Sequence, residues 1–306
     1  MDWLAEDRCA DLPRSHPLVA ETLIFPRKQW RKGLGLPTML RHLGALRRRE
    51  PYAYVFDLQS NLKSALHLCA LRGLKVGFDA PIAREGARRF LDVRAPDPGR
   101  VHRSVRDLSL LAAAGLDPGK PVFRRWELPN ASARDVVVPV QPFTLLHCSV
   151  TDYGRDKEWP PERWAALARA LRAAGRTPLA LWTPADRPRV AEIVAAADGA
   201  LDWAPATPSL PALMTLCDAA ELLIGTDSGP VHLAATRGTP VLALLGPTDP
   251  VLYAPPGDHV RVIYPGAPHE APPPRDRSQR SPWMERISVE AVLKAALAPQ
   301  VTARAD

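Results

Sequence analysis

Short apolar runs alternate along this chain with longer stretches in which apolar residues recur every three or four positions. The first kind fits strands buried on both faces, and the second fits amphipathic helices. Their alternation predicts an α/β fold built on parallel sheets. In the first half, Thr22-Leu23-Ile24-Phe25, Tyr52-Ala53-Tyr54-Val55-Phe56 and Lys75-Val76-Gly77-Phe78 read as strands. Pro37 to Arg49, Leu62 to Leu71 and Val101 to Ala114 read as helices, the last stopped by Gly115. From Asp117 to Pro142 the periodicity fades and prolines gather. A boundary near Pro139 to Pro142 therefore divides the chain into domains 1–140 and 141–306.

The alternation restarts in the second half. Strands are expected at Thr144-Leu145-Leu146-His147, Pro178-Leu179-Ala180-Leu181-Trp182, Leu222-Leu223-Ile224-Gly225 and Val241-Leu242-Ala243-Leu244. Helices are expected at Pro161 to Ala174, opened by its proline, and at Arg187 to Ala197, Pro208 to Cys217, Gly229 to Arg237 and Ser288 to Ala298. Pro265 to Pro282 reads as a mobile, proline-rich loop. Two α/β halves of this kind put a ligand cleft between them, at the carboxyl ends of their strands.

The 306 residues are 46% apolar and 24% charged, enough apolar material for two cores. No apolar run is long enough to span a bilayer, and Met1 to Asp7 lacks the basic-then-apolar pattern of a secretory signal, so a cytoplasmic protein is expected. Cys9, Cys69, Cys148 and Cys217 are scattered without a Cys-x-x-Cys pair, which fits reduced, mostly buried thiols. No metal-spaced His/Cys cluster and no Asp-x-Asp triplet occurs, so neither a metal nor a cofactor is expected. The net charge of +7 is largely arginine, as in Arg47-Arg48-Arg49 and Arg88-Arg89. Such an excess favours anionic partners or is simply a solvated basic surface. Basic runs without interleaved aromatics argue against nucleic acid.

Chemistry concentrates in Gly225-Thr226-Asp227-Ser228-Gly229-Pro230-Val231-His232. This reads as a buried strand, a tight glycine turn and a helix start. Free backbone N–H groups and the helix dipole, about half a positive charge, suit a phosphate there. Gly229 permits close backbone approach, and Ser228 adds a hydroxyl. The alternative is an ordinary strand-to-helix turn in which Asp227 or Ser228 only caps. Asp227 would repel phosphate at close range, so it fixes the loop or takes donor hydroxyls; His232 reads as a structural hydrogen-bonder. A second stretch, Thr151-Asp152-Tyr153-Gly154-Arg155-Asp156-Lys157-Glu158-Trp159-Pro160, also follows a strand. Lys157 there either neutralises a diphosphate or is a surface lysine, and Trp159 and Trp164 pack the following helix start.

Together these segments resemble glycosyltransferase family nine, the ADP-heptose:lipopolysaccharide heptosyltransferases. The residues from Gly225 to Ala235 are close to that family's signature, as is Gly238-Thr239-Pro240 running into Leu245-Gly246-Pro247-Thr248-Asp249-Pro250. Lys157-Glu158-Trp159-Pro160, Asp57-Leu58-Gln59-Ser60-Asn61-Leu62-Lys63-Ser64, Gly77-Phe78-Asp79 with Arg84-Glu85, and Trp283-Met284-Glu285-Arg286-Ile287-Ser288 follow in the family's order. The resemblance implies a GT-B fold, two Rossmann-like domains facing a central cleft, and an inverting, metal-independent transfer of heptose from ADP-heptose to the lipopolysaccharide inner core. It implies that Thr151, Lys157, Asp227, Ser228, Gly229 and His232 form the donor side. Trp182 and Asp186 lie where the family contacts the nucleoside, although Asp186 stands where glutamate is usual. Lys63, Arg84, Glu85 and Arg88 are acceptor-side candidates for a lipid-linked saccharide, with peripheral contact at the inner membrane.

Two departures accompany the resemblance. Asp2-Trp3-Leu4-Ala5-Glu6 resembles the family's second strand region, so the first strand and the loop bearing the catalytic base are expected upstream of Met1. An N-terminal sheet incomplete in this way leaves backbone unpaired. Pro272, Pro273 and Pro274 replace the cysteines that some relatives carry before Trp283. Two other functions stay open: transfer of another nucleotide sugar on the same fold, and a non-catalytic nucleotide- or glycan-binding remnant.

Overall fold

The computed structural model describes residues 1–25, 27, 35–123, 125–128, 135–267 and 270–299. They divide into two units, one of Met1–Pro13 and Val19–Val122, the other of Arg14–Leu18 and Phe123–Asp306.

In the first unit, β1 (Asp2–Glu6) and β2 (Glu21–Phe25) form a parallel pair. Helix α1 (Gly35–Arg47) precedes β3 (Tyr54–Asp57), and α2 (Leu62–Ala70) leads to β4 (Leu74–Phe78), beside which lies β5 (Val93–Ala95). Helix α3 (Arg103–Ala113) closes the unit. Strands β3, β4 and β5 make a separate parallel sheet, so among the described residues β1 pairs with β2 and β3 with β4. Leu4 of β1 and Val55 of β3 nevertheless pack on one cluster, Leu23, Leu46, Ala70 and Leu71. Tyr52 and Ala53 stand outside β3, contrary to the expected strand: the Tyr52 N–H donates to the Arg72 carbonyl, and its hydroxyl donates to Asp2 at 2.6 Å.

In the second unit the helices α4 (Pro161–Ala173), α5 (Arg187–Ala196), α6 (Leu210–Ala219), α7 (Gly229–Arg237) and α8 (Val289–Leu297) surround six parallel strands. These are β6 (Thr144–His147), β7 (Pro178–Ala180), β8 (Asp202–Trp203), β9 (Leu222–Thr226), β10 (Val241–Leu244) and β11 (Val260–Ile263). Their order is β11-β10-β9-β6-β7-β8. All of β9 and β10 is buried, as a central parallel strand covered by helices on both faces requires. The sequence pattern missed β8, which is two residues long, and β11, whose half-exposed edge position needs no continuous apolar run. Strand β7 is shorter than expected. It ends at Ala180, and Trp182 leaves the ladder to donate its indole N–H to the Ala204 carbonyl.

Trp159 and Trp164 are fully buried and meet edge-on at 4.9 Å between ring centres. The Trp159 indole N–H also donates to the Ile287 carbonyl, so it ties the C-terminal segment to the start of α4. The expectation of buried thiols holds for Cys148 and Cys217, whereas Cys9 and Cys69 are exposed. Among the described residues no helix is long and apolar enough to cross a membrane, and no three His, Cys, Asp or Glu side chains are grouped to hold a metal ion.

Candidate functional site

The connections of the six-stranded sheet reverse direction between its neighbours β6 and β9. At such a point the loops leaving two adjacent strands diverge and open a crevice at their carboxyl ends. Gly225 makes the close strand contact possible. A Cβ there would lie 2.6 Å from Val231 Cγ2 and 3.1 Å from His147 Cβ. Gly229, by contrast, has room: a Cβ there would meet nothing within 4 Å. It starts α7 beside open space, and Ser228, the residue before it, makes no side-chain cap to the helix.

Asp227 is the hub. Its carboxylate accepts from His232 Nε2 at 2.9 Å, from Thr248 Oγ1 at 2.9 Å and from the Lys157 ammonium, which also reaches the Asp227 carbonyl at 3.2 Å. Burial alone would raise the Asp227 pKa. The His232 hydrogen bond and the Lys157 charge outweigh that and hold the carboxyl well below its usual range. His232 is therefore a hydrogen-bond partner of Asp227, one turn into the helix, as its place in the sequence suggested.

Ser228, freed from capping, shares a hydrogen bond of 3.1 Å with His147 Nδ1 at the end of β6. Burial lowers the His147 pKa to about 4, against the opposing pull of Asp186. Asp186 accepts from Ser149 Oγ, and from the Thr183 N–H and hydroxyl at 2.5 and 2.8 Å. Its carboxylate is thus engaged within the chain. Trp182 stands edge-on to Trp203, with the Arg187 guanidinium 4.9 Å from one ring centre and 5.3 Å from the other.

The fold brings Lys157, Asp227 and His232 into direct contact and places Ser228 and Gly229 next to them. Asp186 acts on the charge of His147, and Trp182 precedes Thr183, whose N–H and hydroxyl donate to Asp186. Thr151 is exposed and precedes the short 3₁₀ segment Asp152–Lys157, making no side-chain cap there. The four acceptor-side candidates lie in the first unit. Glu85 accepts from the Leu62 N–H at the start of α2, and the Arg84 N–H donates to the Ser60 carbonyl. Lys63 is 3.6 Å from Glu6, and Arg88 is 3.1 Å from Asp79.

Thr248, His147 and Ser149 were not assigned roles from the sequence. Thr248 lies inside a quoted motif, and that was its only signal. A histidine ending a buried strand looks like any other, and its tie to Ser228 spans 81 positions. Chemically, the group combines a cation held by a carboxylate with the first turn of a helix whose N-cap side chain is engaged elsewhere. Such a set receives a negatively charged group and keeps a carboxylate beside it for hydroxyls.

The chain matches the family described as glycosyltransferase family 9 (heptosyltransferase) over residues 39–281. It is 30% identical over 262 residues to lipopolysaccharide heptosyltransferase 1 of Pseudomonas aeruginosa, covering 81% of this chain and 70% of that protein. It is 27% identical over 258 residues to lipopolysaccharide heptosyltransferase 1 of Escherichia coli, covering 82% of this chain and 79% of that protein. The solved structure of E. coli heptosyltransferase WaaC with ADP superposes with a TM-score of 0.73 at 23% identity, over 96% of this chain and 88% of that one. The fold is thus of the GT-B type expected from the sequence.

Proposed function

The chain belongs to glycosyltransferase family 9, the heptosyltransferases, and from that premise we propose that it transfers heptose from ADP-heptose to the inner core of lipopolysaccharide. The observation that carries the reading is the Lys157–Asp227 pair beside the start of α7, at the switch point of the second unit. The relatives support the donor and acceptor: both are named lipopolysaccharide heptosyltransferases, and the WaaC structure is a complex with ADP.

In this reading the second unit binds the donor, and the diphosphate sits at the first turn of α7. Lys157 and the helix dipole stabilise the charge that develops on the leaving nucleotide as the bond to the anomeric carbon breaks. Lys157 can turn to the phosphate without stranding Asp227, because His232 and Thr248 still donate to that carboxylate. Asp227 then repels the phosphate and takes sugar hydroxyls instead. Thr151, Ser228 and Gly229 line the same donor side, and Trp182 and Asp186 lie towards the nucleoside. A base removes the proton of the acceptor hydroxyl as it attacks; no residue of this chain is assigned to it. Lys63, Arg84 and Arg88 of the first unit attract the acidic, lipid-linked saccharide, with Glu85 holding the start of α2. The reaction runs at the cytoplasmic face of the inner membrane.

Titration calorimetry with ADP-heptose tests the reading. Saturable binding that is lost in Lys157→Ala supports it. A folded protein that takes up no ADP-heptose sinks the donor assignment and turns the search to other nucleotide sugars.

A further inference from the structure

The stretch carrying Lys157 is gripped from outside by a strap near the C-terminus. Arg275 makes a two-point bond to Asp156, with Nε at 2.5 Å and Nη2 at 3.0 Å from the carboxylate oxygens. Asp156 is fully buried. The Arg277 guanidinium lies 4.1 Å from the ring centre of Tyr153, and Arg280 reaches Glu158 at 3.5 Å. The Ser281 N–H donates to the Asp156 carbonyl at 3.2 Å. Between these grips Asp276 closes a turn by accepting from the Ser278 N–H and hydroxyl. Further along, Met284 packs so closely on Gly246 that a Cβ there would lie 2.4 Å from its sulfur. The strap therefore holds the residue before Lys157 and the segment leading into Thr248. Those two residues supply two of the three side-chain donors to Asp227.

Asp156 poses a problem for this site. Its carboxylate is fully buried one residue before Lys157 in the chain, with Arg275 on the carboxylate and the Ser281 N–H on the backbone carbonyl. A buried charge must find a partner, so losing Arg275 would leave the Asp156 carboxylate to seek a cation from the stretch that carries Lys157. The planar fork of arginine fits a carboxylate at two points and satisfies it in place.

We propose that Arg275 is a positioning residue of the donor site: by saturating the buried Asp156 it leaves Lys157 free to serve Asp227 and the donor diphosphate. The inference rests on the donor reading above. It makes Arg275 act through Asp156, so removing the Asp156 charge removes the need for Arg275.

The test is ADP affinity by calorimetry on the 306-residue protein, well below its melting temperature, for the wild type, Arg275→Met and the double variant Asp156→Asn/Arg275→Met. Arg275→Met weakens ADP binding about tenfold or more, the scale of a misdirected charged contact, and the double variant returns it close to wild type. An Arg275→Met protein that is folded and binds ADP as the wild type does overturns the proposal. So does a loss that Asp156→Asn fails to restore, since Arg275 then meets the ligand itself. If Arg275→Met does not fold, the double variant decides: it folds and binds ADP near wild-type strength, and a tenfold loss in it overturns the proposal. A wild type that fails to bind ADP sinks the donor reading itself, a result separable from any difference between variants.

Discussion

His147, the last residue of β6, and Ser228, the residue before α7, share a hydrogen bond of 3.1 Å that ties the carboxyl ends of two neighbouring parallel strands together. The bond takes the serine hydroxyl away from capping its own helix. It leaves the first turn of α7 to whatever binds in the crevice, and it makes the histidine a structural, neutral group.

Acid should expose that role. Burial lowers the folded His147 pKa to about 4, against 6.5 unperturbed. Between those values the unfolded chain binds a proton that the folded chain refuses, so stability is complete above about pH 6.5 and falls as the pH drops towards 4. The contribution is on the order of 3 kcal/mol, from roughly 1.4 kcal/mol per pH unit. Urea denaturation at pH 7 and pH 4.5 measures it. His147→Asn should lose about 2–3 kcal/mol less over that interval than the wild type.

Asp227 behaves oppositely in range, though with the same sign. Its folded pKa is held below the ordinary carboxylate value, so its stabilisation is whole above about pH 4 and fades only as the pH falls through the depressed folded value. Asp227→Asn leaves the Lys157 ammonium without its counter-charge and should cost about 1–3 kcal/mol at pH 8, allowing for partial solvent screening of the pair. Parallel urea denaturation curves at pH 8 measure the difference, and a variant as stable as the wild type would contradict a stabilising Lys157–Asp227 pair.

The two glycines of the signature should separate folding from binding. Gly225→Ala drives a methyl into Val231 and His147 and should destabilise by about 1–3 kcal/mol through overpacking. Gly229→Ala places its methyl in open space, so the melting temperature should hold or rise slightly. Its ADP-heptose affinity should fall at least tenfold if the diphosphate approaches that backbone. Differential scanning fluorimetry and calorimetry on the same two preparations resolve the contrast.

Thiol chemistry gives an independent check of the packing. Cys148 and Cys217 are buried, and burial raises each thiol to about 12, so neither supplies thiolate at neutral pH. Cys9 and Cys69 are exposed. Ellman's reagent should therefore titrate two thiols quickly in the native protein and all four in denaturant.

Much of this was legible in the order of amino acids. The buried strands at Leu222–Thr226 and Val241–Leu244 had to be continuous apolar runs, because a strand covered on both faces has no polar side to show. The turn from Asp227 to Gly229 was legible for a related reason: strand, acidic turn, glycine and helix are contiguous, so their chemistry is local. Lys157 was a candidate from its place after the strand ending at His147 and from its motif.

What the order of residues left open are the partnerships made across the sheet and between distant loops. Nothing local to Lys157 says that its ammonium meets a carboxylate 70 positions on, or that Asp156 beside it is taken by an arginine 119 positions on. Glu85, an acceptor-side candidate, accepts from the Leu62 N–H 23 positions away, a tie that no local pattern announces. Side-chain type limits what a residue can bond. Only the packed chain, which lays β6 against β9 and the strap over the Lys157 stretch, decides which of many chemically equivalent partners comes within hydrogen-bond distance. Short-range periodicity carries the elements because backbone geometry repeats every two or 3.6 residues. Long-range pairing has no such period, so it exists only once the chain is packed.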